Sequence, residues 1–357
     1  MLVDFIVKNR IFSDLSKTIC GQCSQSKLPS LYKIYGNIAA IKRKTWLRRT
    51  YLSIPLRSGT TQYRLYMNNL TQELVDLLTL EKLEEHIFRG KSLNLVGKRV
   101  FGGQVLGQAL RAASYTTDRP AHSLHAYFLY GGDVNAPIIY EVEKLRDGKS
   151  FVSRQVKAIQ HGRTIFSAMV SFASPEDGLD YQISEPEYPA PEALKSEQDL
   201  KENIISFVPE NIRTAFMRER HIEIRPVSVS NPFKPQPESP SYAHYLRTHE
   251  KLPEQVADDI ALNQAIVAFY SDYTLMMSAL RPHGINYLTP SLQCASIDHA
   301  IYFHKPVKAD DWILYDMDAT VSASSRGLNF GRMWQNGELV CSTTQEGLMR
   351  LREIEPQ

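Results

Sequence analysis

The sequence predicts an α+β protein in which one unit, an antiparallel sheet wrapped around a long helix, occurs twice in tandem. Three observations lead there. Short strand-like runs separated by glycine-bearing turns come in two sets of four. A helical segment precedes each set, and local strings line up across the halves at offsets of about 174 to 179 residues. The second of these helical segments is apolar on every side, and a helix of that kind has to be buried.

The elements follow in order. Between Leu70 and Phe88 the spacing of Leu74, Leu77, Leu78, Leu80, Leu83 and Ile87 predicts an amphipathic helix. A second helical segment starts at Phe101-Gly-Gly-Gln and runs to about Tyr115. Four strands are then predicted over His122–Tyr130, Pro137–Leu145, Phe151–Gln160 and Arg163–Ala173, punctuated by Gly131-Gly132-Asp133, Asp147-Gly148 and His161-Gly162. Residues 174–240 are richer in Pro, Glu and Ser and read as a linker with one helix near Glu210–Arg220. A helix from about Asp258 to Leu280 opens the second set, with strands over Leu292–His304, Trp312–Ser322, Arg326–Trp334 and Leu339–Arg350 and an Asn336-Gly337 hairpin turn. Ser123-Leu-His-Ala-Tyr-Phe parallels Ser296-Ile-Asp-His-Ala-Ile-Tyr-Phe, and Gly148-Lys-Ser-Phe151 parallels Gly327-Leu-Asn-Phe330. The expected organisation is an extension (1–66), a first unit (67–175), a Pro-rich linker (176–240) and a second unit (241–357).

Composition narrows the class. With 43% apolar and 22% charged residues in 357, a sizeable core is available and disorder is excluded. The net charge is +2, but residues 1–66 hold 12 Lys/Arg against only Asp4 and Asp14, leaving 29 basic and 37 acidic residues for the remainder. An acidic body argues against nucleic acid as a partner. No run reaches the length of a membrane span, so no transmembrane segment is expected. Four cysteines, Cys20, Cys23, Cys294 and Cys341, make no disulfide framework, and Cys20-x-x-Cys23 lacks the second pair a zinc site needs. The reading is of a reduced intracellular protein with no metal and no cofactor. The basic, hydroxyl-rich amino-terminal segment has the composition of a mitochondrial import signal; a disordered tail, or a true start at Met67, reads equally well. The terminal Glu355-Pro356-Gln357 is not the peroxisomal Ser-Lys-Leu address.

Ala261–Leu280 contains a single charge, Asp272. An antiparallel sheet curled around that helix would bury it, and two copies side by side give a double hotdog fold. A carboxylate in such a setting is either a structural cap or an active-site acid that orients or deprotonates water. Single strings then bring a family into view: Phe101-Gly-Gly-Gln-Val-Leu-Gly-Gln-Ala-Leu110, His122-Ser-Leu-His-Ala-Tyr-Phe128, Tyr140-Glu-Val-Glu-Lys-Leu-Arg-Asp-Gly148, Gln160-His-Gly162, Ser271-Asp-Tyr273, Ser296-Ile-Asp-His299, Tyr302-Phe-His-Lys-Pro306, Ser325-Arg-Gly327 and Gln345-Glu-Gly347. From about residue 74 to 350 the chain resembles the acyl-CoA thioesterase II family, the bacterial enzyme and its peroxisomal eukaryotic relatives; residues 1–66 match nothing in it.

The resemblance implies an acyl-CoA hydrolase, releasing fatty acid and coenzyme A, with Asp272, Ser296 and Gln345 as the catalytic set and no covalent intermediate. Gly102 and Gly103, at a helix start, are candidate oxyanion donors, although close helix packing accounts for them as well. His122 and His125 fall on opposite faces of a strand, which argues against a metal pair. Adjacent strand residues likewise diverge, so Ser296, Asp298 and His299 do not read as a nucleophilic triad, and no Gly-x-Ser-x-Gly elbow occurs. A hotdog enoyl-CoA hydratase and an inactive acyl-CoA-binding or scaffold protein are the alternatives. Hotdog sheets present edges that pair, so a homodimer or higher homo-oligomer is expected. The family points to the peroxisomal matrix and the basic leader to the mitochondrial matrix.

Overall fold

The computed structural model describes residues 69–95, 97 and 99–353, all inside the compact unit Tyr66–Gln357. The readings made on the basic leader, with Cys20 and Cys23, lie outside the described residues.

Asn69 caps helix α1 (Leu70–Leu78) by accepting from the Gln72 N–H, and Leu74, Leu77 and Leu78 turn its apolar stripe inward. The expectation of one helix to Phe88 is corrected: the chain leaves helical geometry at Thr79, and β1 (Glu81–Glu84) and β2 (Ile87–Gly90) form a hairpin. Phe88 is buried because β2 pairs with β4 (Ile138–Asp147), a long-range contact that outweighs local helical spacing. Helix α2 (Gly102–Ser114) and strands β3 (Ala121–Phe128), β4, β5 (Phe151–Gln160) and β6 (Arg163–Ala173) follow as expected, with ends shifted by two residues at most. The β5–β6 turn holds His161 and Gly162 at φ 51° and 71°, the twisted two-residue connection that antiparallel strands favour.

The segment read as a linker carries more structure than its composition suggested. It contains α3 (Glu197–Ile204), α4 (Glu210–Phe216) and β7 (Ile222–Pro226), and β7 pairs with β8 (Tyr242–Thr248). Helix α5 (Ile260–Ser271) is buried from Leu262 onward. Here a second correction applies, since the helix stops at Ser271 rather than continuing to Leu280. Asp272 is its C-cap, Thr274 takes a left-handed φ of 63°, and a short α6 (Met277–Leu280) resumes afterwards. The polar run Ser271-Asp-Tyr-Thr274 offers side-chain hydrogen bonds that compete with helix continuation: Ser271 Oγ donates to the Ala268 carbonyl and Thr274 Oγ1 to that of Tyr273.

Strands β9 (Leu292–Ser296), β10 (Asp298–Phe303), β11 (Ile313–Ala323), β12 (Arg326–Gln335) and β13 (Glu338–Leu351) complete the chain. The sheet runs β1-β2-β4-β5-β6-β3-β10-β13-β12-β11-β8-β7, with β9 on β13. At its centre β3 and β10 pair antiparallel, His125 opposite Ala300, and the order reads alike outward from that seam. A residue and the one 175 positions on therefore occupy matching places: Ala121 faces Phe172 as Ser296 faces Gly347, and His125 faces Met169 as Ala300 faces Thr344.

Helices α2 and α5 cross antiparallel in the core. Gly103 and Gly107 make the approach possible, because a Cβ would lie 2.4 Å from the Phe269 carbonyl oxygen at the first and 2.8 Å from that of Ala265 at the second. At one end of the pair Arg111 grips Asp259 through two bonds of 3.2 and 2.6 Å. At the other end, the C-terminus of α5 meets the N-terminus of α2.

Candidate active site

That second end is where the polar side chains converge. Asp272 Oδ1 accepts from Gln345 Nε2 at 2.7 Å and from the Ser296 hydroxyl at 3.2 Å, and Gln345 Nε2 lies 3.1 Å from Ser296 Oγ. The three residues that the resemblance selected come from the α5 cap, β9 and β13, and the fold brings them into mutual contact. The backbone N–H of Gly103 also donates to the Asp272 carboxylate. A Cβ on Gly102 would stand 2.6 Å from Asp272 Oδ2 and 3.1 Å from the Phe128 ring, so the bare first turn of α2 is what admits the carboxylate. The positive end of a helix macrodipole thus faces a lone anion.

Asp272 titrates at about 6, raised from the ordinary carboxylate value first by burial and held from rising further by the Gln345, Ser296 and Gly103 donors. A base of that strength is ionised at neutral pH yet far more basic than a solvated carboxylate.

His299 joins the same cluster, contrary to the expectation that strand neighbours diverge. Its Nδ1 is 3.0 Å from Gln345 Nε2 and its Nε2 is 2.9 Å from Ser271 Oγ. The reason is a bulge at Ile297 between β9 and β10. The pairing with β13 shifts by one residue there, from Ser296–Gly347 to Ala300–Thr344. Ile297 N–H donates to the Glu346 carbonyl, and the Asp298 carboxylate accepts the Glu346 N–H at 2.6 Å. An extra residue reverses strand alternation, so Ser296 and His299, three apart, both face Gln345. Nothing in the sequence marks the bulge itself; the paired bulge at His122 in the matching half shows it only once register is known.

Gln345 is fully buried, and its Oε1 has no partner among the described residues. An unpartnered buried carbonyl costs about 1–3 kcal/mol, so the amide's orientation is imposed by what its nitrogen touches. His122 and His125 stay outside the cluster: His122 bonds Ser171 at 2.8 Å and His125 stacks edge-on against Tyr302.

The set lines a cleft of about 1950 Å³. Phe101, Val105, Phe128, Ile165 and Phe166 from the first half line it, together with charged groups of both signs, Arg99, Arg218 and Arg352 beside Glu197, Glu219 and Glu353.

The family model for acyl-CoA thioesterase matches residues 211–348, and that for the acyl-CoA thioesterase N-terminal domain matches 91–173. The chain is 38% identical over 290 residues to acyl-CoA thioesterase 2 of Haemophilus influenzae, covering 80% of this chain and all of the relative. It is 37% identical over 286 residues to human acyl-coenzyme A thioesterase 8, covering 77% and 88%. A Saccharomyces cerevisiae protein named peroxisomal acyl-coenzyme A thioester hydrolase 1 is 25% identical over 299 residues, covering 70% and 85%. Among solved structures, acyl-CoA thioesterase II TesB2 of Mycobacterium marinum superposes with a TM-score of 0.62 at 35% identity, covering 78% of this chain and 98% of that one. In sequence and in fold, the chain belongs to the acyl-CoA thioesterase II family of double-hotdog thioester hydrolases.

Proposed function

We propose that this protein hydrolyses fatty acyl-CoA thioesters to free acid and coenzyme A, with Asp272 activating the attacking water. The observation that carries the reading is one carboxylate, titrating at about 6 and gripped by three donors, at the wall of a large cleft lined in part by apolar side chains. Asp272 takes a proton from water as the oxygen attacks the thioester carbonyl. Ser296 and Gln345 fix the carboxylate's direction and the line of attack. Since Gly103 N–H serves the carboxylate, Gly102 N–H is the first-turn donor we assign to the carbonyl oxygen as it gains charge. Collapse of the tetrahedral intermediate breaks the carbon–sulfur bond, and the proton on Asp272 passes to the departing sulfur.

Free-thiol release from acyl-CoAs of short to long chain, measured with the whole protein and with Asp272→Asn, tests this. The parent should release thiol, and the variant should lose about 10²–10⁴-fold, the usual contribution of a general base. Equal rates in both would overturn the role of Asp272 while leaving the family assignment intact. No release from any chain length would overturn the substrate reading. We also propose a peroxisomal location, supported by the name of the yeast relative; co-localisation with a mitochondrial marker instead would refute it.

A further inference from the structure

We infer that His299 and Ser271 form a positioning relay that fixes which face of the Gln345 amide meets Asp272. The inference rests on the reading of Asp272, Ser296 and Gln345 as the reacting set. It starts from proton bookkeeping in a buried chain. Ser271 Oγ donates its one proton to the Ala268 carbonyl at 2.8 Å, so toward His299 it can only accept. His299 must then carry its proton on Nε2, which leaves Nδ1 a bare acceptor. Burial holds the ring neutral, far below its ordinary titration range, so a second proton on Nδ1 is excluded at working pH.

The bare Nδ1 accepts from Gln345 Nε2 at 3.0 Å. One amide hydrogen goes there and the other goes to Asp272 Oδ1 at 2.7 Å. A rotated amide would aim its oxygen at two acceptors at once, the carboxylate and the ring nitrogen. The structure accepts a buried, partnerless Gln345 Oε1 rather than that arrangement. His299 touches neither Asp272 nor the cleft wall; it acts on the base through the amide. The segment that carries the relay is held independently, for Tyr315 Oη donates to the Ser271 carbonyl at 2.9 Å.

The consequence is specific to the base. Without the relay Gln345 presents its oxygen to Asp272 for part of the time, the carboxylate loses its shortest donor, and its proton affinity rises. In the whole protein, His299→Leu should lower kcat about 10–100-fold with KM within about twofold, less than the roughly 10²–10³-fold of deleting a preorganised donor outright, because the amide is misoriented for only part of the time. The acid limb of the kcat/KM profile should move upward, because that limb reports the free enzyme's base. Ser271→Ala, which frees the ring to take the other tautomer, should shift the same limb in the same direction by less. In nitrogen-15 NMR of the unaltered protein labelled in histidine, the ring signals that His299→Leu removes should be those of a ring protonated on Nε2 alone. A His299 ring protonated on Nδ1, or folded variants whose acid limb stays at the parent's position, would overturn the relay. If Asp272→Asn is inactive in the same assays, that failure belongs to the relay alone; if Asp272→Asn is fully active, the underlying site reading has failed with it.

Discussion

At the scale of single residues, Asp272 couples chemistry and stability with opposite signs. In the proposed role of base Asp272 must be ionised, so kcat/KM should rise with pH and level off above about 6; a profile flat from pH 5 to 8 would show that another group titrates. Stability runs the other way. A carboxyl whose folded value is raised above its unfolded one favours the folded state at low pH and withdraws that support as pH climbs through the folded value. Between pH 5 and 8 the parent should lose about 1 kcal/mol relative to Asp272→Asn, a difference that paired denaturant titrations at the two pH values resolve. Gly102→Ala places a methyl against Asp272 Oδ2 and should reduce kcat while leaving the fold intact by circular dichroism. Asp272 was legible in the sequence as the one charge in an apolar helical stretch, and Ser296 and Gln345 through the family strings. His299 was not, because strand alternation assigns it to the wrong face and the correction depends on a bulge set by pairing with β13.

Elements were legible wherever local chemistry decided them. His161-Gly162 and Asn336-Gly337 adopt the left-handed turns that their residue types favour, at φ 51° and 71° and at 54° and 81°. The β11–β12 connection shows the same geometry without suitable residues: Ser324 and Ser325 both hold positive φ, 50° and 57°. Replacing the pair by Asn-Gly should stabilise the protein by about 1 kcal/mol, visible as a rise in Tm; an unchanged or lower Tm would mean the serines are held there by contacts of their own. Gly103→Ala drives a methyl into the α5 backbone and should destabilise by about 1–3 kcal/mol or more. What escaped the sequence were β1, β2, β7 and β8, whose patterns are short and two of which, β2 and β8, take their places against the distant β4 and β11. The end of α5 escaped too, since its apolar run continues past the point where Ser271 and Thr274 divert the backbone.

Across the molecule, the central seam relates each strand of one half to a strand of the other, and the matching places differ sharply in chemistry. Tyr115 is the C-cap of α2 where Asp272 caps α5, and Ala121, Leu124 and Val170 stand where Ser296, His299 and Gln345 stand. The end of the helix pair that holds Arg111 and Asp259 has been closed by an ion pair instead. Titration with a non-hydrolysable acyl-CoA should therefore saturate at one ligand per chain, and a stoichiometry of two would contradict the asymmetry. The proposed site nevertheless needs both halves, since Gly102, Gly103 and Phe128 come from one and Asp272, Ser296 and Gln345 from the other. Between the halves the chain passes through Ser174–Glu185, exposed throughout and outside any helix or strand. Covalent continuity across that stretch is dispensable once the seam has formed: a protease nick there should leave two fragments that co-elute and still turn over substrate, while either fragment alone is inert.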